Sequence, residues 1–344
     1  MGITEHVLFG RAHLDSVTEK SRNFDKSGVR PCWLRFSSKK GLTPQGSKYK
    51  IIMIDALMIY SKLQKAIRKN FKSEEICDYF KDIFEDCSLF LSKTEKIDLL
   101  SKITDKKYFA FEREGKISRA VNQSLFKDDD GSITRFFKIM KEKKYDKLSA
   151  RELTKAFYTI AQNFCCTIDL IKTGDQKTPG TYFEYLIGHT FSGFLDINPQ
   201  NKIEVLNLDK KATLPTDFIF DLGVGKSKLH LPVKTSTRER VIQVWAHQRV
   251  LDGVYGSGRF IGILVCIAET KTNTRSREVI EICLPDQWKI YQMFISRLER
   301  VYYLDIPTPY EKLSKGFPQI IIKSFGEFFF EFNQLIKQSS YTSS

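Results

Sequence analysis

The stretch 259–268, RFIGILVCIA, is charged only at its first residue and then runs on without a polar side chain. A segment so short and so continuously apolar has no face to offer water. It therefore predicts a strand buried on both sides, inside a sheet that carries helices above and below. The neighbouring segments fit that frame. TYFEYLIGHTF has helical spacing, KIEVLNLD, TDFIFDLG and KLHLPVK read as strands, and RERVIQVWAHQRVLDG reads as a helix before the apolar run. The order αβββαβ predicts an α/β fold with a mixed central sheet flanked by helices. Downstream, EVIEICLP predicts a further strand, DQWKIYQMFISRLERVY a helix, and QIIIKSFGEFFFEFNQLI either a strand and a helix or one helix.

The chain is longer than a usual domain of roughly 100–200 residues, so a core with an added region is expected. From about 52 to 175 the apolar residues recur at helical spacing, as in IIMIDALMIYSKLQKAIRKNF and SARELTKAFYTIAQNFCCTIDLI. GLTPQGSKYK, before them, reads as a basic loop. The breaker-rich KTGDQKTPG at 172–180 marks the expected boundary between a mainly helical region, 1–175, and the α/β core, 176–344.

Lys and Arg number 55 against 41 Asp and Glu, a formal charge of +14. Such an excess gains affinity by displacing counterions from phosphates, so nucleic acid is the first partner to consider. RFFKIMKEKKYDK (135–147) interleaves lysines with aromatics, which suits either a DNA backbone groove or an ordinary charged helix face. No window reaches the roughly 18 consecutive apolar residues of a membrane span. The cysteines (Cys32, Cys77, Cys87, Cys165, Cys166, Cys266 and Cys283) show no C-x-x-C spacing and read as reduced thiols, which makes the cytosol the expected compartment. KDDDG (127–131) lacks the alternate ligands of a calcium loop and reads as a solvated turn, and GSGR (256–259) as a turn before a strand.

Phosphodiester hydrolysis needs carboxylates to hold a metal, and a cation or base to prepare water. Adjacent strands can supply both at one sheet edge. Asp217 follows Pro215 at the start of TDFIFD, Lys234 ends KLHLPVK, and Glu184 lies on the preceding helix as a third candidate. With Pro-Thr-Asp (215–217) before an apolar strand and VKTSTRER (233–240) after the next, the run from Gly180 to Ile267 resembles the catalytic core of PD-(D/E)XK nucleases. Within that superfamily it is similar to type II restriction endonucleases that cut sites containing CC and GG.

The resemblance implies a Mg²⁺-dependent endonuclease acting on double-stranded DNA and leaving 5′-phosphates. Asp217 and Glu184 would be metal ligands, and Lys234 would orient or activate water. Arg238, Glu239 and Arg240 would read bases: Arg pairs with guanine O6 and N7, and Glu accepts from cytosine N4. The sequence departs from the family pattern in two places. Pro232 stands at the acid position two residues before the lysine, and His247, beside Gln248, stands where the branch carries its displaced acid. An imidazole or an amide could complete the metal shell, or Glu184 could compensate, and Gln248 is a further candidate for DNA recognition. A palindromic site implies a homodimer, and a site-specific cutter implies a DNA methyltransferase as genetic partner. A structure-specific repair nuclease and an inactive DNA-binding protein are the alternatives.

Overall fold

Helices and strands follow from the patterns above, with one interruption the helical periodicity hides. The structure, a computed structural model, describes residues 44–206 and 211–338. α1 (Pro44–Lys69) begins inside the segment expected to be a loop. Pro at a first helical position forfeits nothing, because that N–H has no partner in any helix. α2 (Glu75–Leu91) packs on α1. Four strands then break the expected helical region: β1 (Glu95–Ser101), β2 (Tyr108–Arg113), β3 (Lys116–Ile117) and β4 (Val121–Asn122). In β1 the buried Ile97 and Leu99 alternate with exposed neighbours, a period of two. α3 (Asp130–Glu142) starts in KDDDG, where Asp129 caps it by accepting from the Gly131 N–H at 2.9 Å. That segment, expected to be a solvated turn, is the N-terminal cap of a helix.

α4 (Ala150–Ile171) opens with a capping box between Ser149 and Glu152 and is buried along most of its length. The first part of KTGDQKTPG, 172–176, is only the turn from α4 into α5 (Lys177–Leu195), and KTPG is already the first turn of α5. The two helices share a single apolar core with α1, α2 and the central sheet, so the expected boundary does not separate two cores. From Pro44 onward the chain is one compact unit.

The predicted αβββαβ order is realised by α5, β5 (Gln200–Leu206), β6 (Lys211–Phe220), β7 (Lys228–Leu231), β8 (Val233–Lys234), α6 (Val241–Tyr255) and β9 (Phe260–Cys266). β10 (Thr270–Asn273), β11 (Glu278–Glu281), α7 (Pro285–Phe294), β12 (Arg300–Tyr303), α8 (Thr308–Gly316), β13 (Ile322–Ser324) and α9 (Phe328–Gln338) complete the chain. The helix expected over 286–302 stops at Phe294, because the Val and Tyr residues of RVYY pair as β12, parallel to β9.

Among the described residues the strands form two mixed sheets. The central sheet runs β13-β12-β9-β7-β6-β5, with β8 continuing β7 along β9. β9 sits in its middle and every one of its residues is buried, as its apolar run requires. The second sheet runs β10-β11-β1-β2-β3, with β4 on β2. β11 lies parallel to β1, so a strand from the α/β half completes a sheet that begins in the N-terminal half. Buried polar contacts tie the two sheets together. Lys106 Nζ donates to Asp305 Oδ1 at 2.8 Å and Glu281 Oε1 at 2.9 Å, while the Tyr108 hydroxyl donates to Asp305 Oδ2 at 2.9 Å. Cys77, Cys87, Cys165, Cys166, Cys266 and Cys283 are free thiols, and Cys32 lies outside the described residues. No described helix is long and apolar enough to cross a membrane.

Gly188 sets how closely α5 approaches β6. A Cβ there would lie 2.6 Å from Phe218 Cζ and 2.8 Å from Phe71 Cε1. Gly→Ala inside a helix ordinarily gains about 1 kcal/mol. Here overpacking should reverse the sign: Gly188→Ala is expected to destabilise the fold by ~1–3 kcal/mol in urea unfolding, and a gain in stability would disprove the close contact.

Candidate active site

Asp217 lies where the pairing of β6 is interrupted on both of its edges. β5 pairs with β6 through Lys202↔Pro215, slips, and resumes at Gln200↔Ile219, so extra residues of β6 bulge between those points. A bulge turns a side chain out of the regular alternation, and Pro215, with no N–H to give, suits its edge. β6 then pairs with β7 from Phe218↔Leu231 onward. The next residue of the facing strand is Pro232, which also has no N–H. Asp217 fills the gap with its side chain: Oδ2 accepts the Val233 N–H at 2.8 Å.

The same oxygen accepts from Lys234 Nζ at 2.6 Å. β8 holds this lysine through Val233↔Val265 and Lys234↔Cys266, the register that β7 already keeps with β9. β7 and β8 are thus one extended strand interrupted at Pro232. Asp217 Oδ1 has no hydrogen-bond partner among the described residues.

Two cavities meet at Asp217. The larger, about 770 Å³, is lined by Glu184 from α5, Thr216, Asp217, Arg68 and Lys69 from the end of α1, and Lys202 from β5. The smaller, about 240 Å³, holds Lys234, His230 and Pro232 from one face of the β7–β8 strand, with Gln243 and His247 from α6. Burial, and then the negative charge of Asp217, push the Glu184 carboxyl up to about 7, against the pull of Lys234. Burial holds the His247 imidazole below its ordinary value, so it is neutral at neutral pH. The structure therefore brings together Asp217, Lys234, Glu184 and His247, all named from sequence.

These groups suit a hard divalent cation. Asp217 and Glu184 are the carboxylates that line the larger cavity, beside Thr216, whose Oγ1 is buried without a partner. Among the described residues no three His, Cys, Asp or Glu side chains form a closed ligand cluster. A cation between Asp217 and Glu184 would relieve the repulsion that raises Glu184.

No protein-family model and no curated protein matches the chain. Among solved structures, the crystal structure of the type IIP restriction endonuclease Kpn2I superposes with a TM-score of 0.67 and 24% identity, covering 86% of this chain and 99% of that one. The chain has the fold of a type IIP restriction endonuclease. The restriction endonuclease PspGI, in a complex with substrate DNA, aligns over 61% of this chain with a TM-score of 0.38 and 14% identity.

The Arg238–Arg240 segment is a 3₁₀ turn leading into α6, directly after Lys234 in the same fold. Arg240 is exposed and Glu239 sits mid-turn. Arg238 is turned inward, its Nη2 donating to the Thr270 carbonyl at 2.6 Å. Gln248, a candidate for DNA recognition, is buried. It is 1% exposed, its Oε1 bonds His230 Nδ1 at 2.9 Å, and its Nε2 donates to Asp252 Oδ1 and the Phe260 carbonyl, each at 3.1 Å. No amide group is left for a base. Sequence reasoning missed Gln243 and His230, although Gln243 precedes His247 by one helical turn and His230 alternates with Lys234 along one strand face.

Glu184 makes stability pH-dependent. Its carboxyl is raised in the folded protein from 4.5 to about 7, so ionising it costs folding energy as pH rises through that window. Without divalent ions, Glu184→Gln should match the wild type below pH 4.5 and become progressively more stable than it up to pH 7. Beyond that the gap should level off at ~2 kcal/mol, allowing for solvent screening. Parallel urea curves across this range would remove the proposed repulsion.

Proposed function

We propose that this chain is a type II restriction endonuclease that hydrolyses double-stranded DNA at a short specific sequence, leaving 5′-phosphates and 3′-hydroxyls. One observation carries the reading: Lys234 Nζ and Asp217 share a 2.6 Å contact at a strand bulge, on a cavity edge that also holds Glu184. Its support is the fold held in common with a type IIP restriction endonuclease and a formal charge of +14.

Bound Mg²⁺ would polarise the scissile phosphate and neutralise charge developing on its oxygens. Asp217 through Oδ1 and Glu184 would hold that ion. Lys234, anchored by Asp217, would orient the attacking water and keep its ammonium beside the phosphate. Arg68, Lys69 and Lys202, exposed along the larger cavity, would take the DNA backbone, where neutralised phosphates release counterions. Glu239 and Arg240 would read base edges, which favours a G·C-rich site. A palindromic site would be cut by a homodimer, with a DNA methyltransferase protecting host copies.

A specific observation favours a second reading: Pro232 removes the acid that the nuclease pattern sets beside its lysine, as expected of an inactive DNA-binding protein. One experiment separates the readings. Phage or plasmid DNA should give discrete fragments with Mg²⁺ and none with chelator. A smear would exclude sequence specificity, and intact DNA would exclude nuclease activity. Lys234→Ala should cut at least ~10²-fold more slowly, the usual scale for losing a group that handles the attacking water's proton, and should still bind DNA in a gel-shift assay.

A further inference from the structure

We propose that Glu269, which lines neither cavity at Asp217, is a positioning residue for sequence recognition: it locks the 237–240 turn in register with Lys234. The inference rests on the reading of that turn as the base-contacting element. Glu269 lies just beyond β9 and is 0% exposed. Its Oε1 accepts the Thr237 N–H at 2.8 Å, the Thr237 hydroxyl at 2.6 Å and the Tyr303 hydroxyl at 2.8 Å. Its Oε2 accepts the Thr237 N–H at 3.1 Å and the Arg238 N–H at 3.2 Å. Backbone N–H groups can only donate, so both oxygens must be acceptors, and the geometry selects the carboxylate over an amide.

The lock continues a rail already laid by the backbone. Lys234 pairs with Cys266 between β8 and β9, and the Ile267 N–H still reaches the Lys234 carbonyl at 3.2 Å. Thr237 and Glu269 keep the same offset, so the side chain carries on where strand pairing stops. Tyr303, on β12, ties Glu269 back to the neighbouring strand of the central sheet.

The turn needs such a grip. Arg238 has φ +35°, a left-handed conformation that a residue with a side chain keeps only when its surroundings hold it. Glu269 holds its N–H and the adjoining Thr270 carbonyl holds its guanidinium. Arg238 is thereby a strut, and the turn that carries residues 239 and 240 is held in a fixed backbone frame.

The test compares wild type, Glu269→Gln and Thr237→Val on duplexes carrying the mapped site and its single-base variants, with Mg²⁺. Glu269→Gln sets an NH₂ against backbone N–H groups, while Thr237→Val removes one hydroxyl bond and keeps the shape. The ratio of cognate to single-mismatch cleavage should fall by roughly tenfold or more for Glu269→Gln, the scale of one lost base contact, and by a smaller factor for Thr237→Val. A purely structural role would lower thermal stability and slow all substrates alike, leaving that ratio intact. If Glu269→Gln does not fold, Thr237→Val decides: an unchanged ratio in a folded variant overturns the inference. A wild type that cuts no DNA overturns the nuclease reading and this inference with it, whereas a wild type that cuts site-specifically beside folded variants with an unchanged ratio overturns the inference alone.

Discussion

One carboxylate oxygen, Asp217 Oδ2, accepts both the Val233 N–H and the Lys234 ammonium, and the candidate site is arranged around that double use. The first contact substitutes for a strand hydrogen bond and fixes Asp217 against the β7–β8 strand. The second places a cation at the same point. Because both fall on Oδ2, the other oxygen is left without a partner among the described residues. A regular strand could not do this, since its alternation would point residue 217 wherever the pleat dictated. The slip between β5 and β6 frees it.

Charge balance around that point then depends on α5. Burial first, and then the nearby charge of Asp217, raise the Glu184 carboxyl to about 7. The approach is possible because Gly188, one turn further along α5, presents no Cβ to Phe218, the residue after Asp217. Packing therefore sets the electrostatics: a backbone with room for one methyl group more would relax the repulsion and move the Glu184 carboxylate away from Asp217. Two acids beside one lysine leave a negative charge that a divalent ion would offset.

The central α/β order was legible because it rests on long patterns. The apolar 260–268 run could only be an interior strand, and Asp217, Lys234 and Glu184 could be named from the elements flanking it. The second sheet was not legible. β3 and β4 are two residues each, and β1 is completed by β11, a strand far along the chain. No local period reports such a pairing. Gln248 was misjudged for a related reason: α6 is apolar on more than one side, and only the fold shows that residue 248 faces His230 while residue 247 faces Asp217. Glu269 carried no signal at all. A lone acid after an apolar strand is a common chain feature, and its importance lies in four donor groups brought to it by residues 237, 238 and 303.

Pro232 links these observations. As a departure from the nuclease pattern it removes a carboxylate, but in the fold it also removes an N–H, and the second loss has structural consequences. With no donor at 232, pairing between β6 and β7 ends at Phe218↔Leu231. The Pro232 carbonyl still accepts from the Val265 N–H at 3.0 Å, so the strand keeps its place beside β9. One edge of the strand is interrupted and the other is not. Asp217 drops into the interrupted edge, Lys234 stays in register on the intact one, and the acid absent from 232 is matched by one on α5. A proline at that position therefore weakens the case for an acid-acid-lysine set on a strand pair alone, and strengthens the case that the helix supplies the second carboxylate.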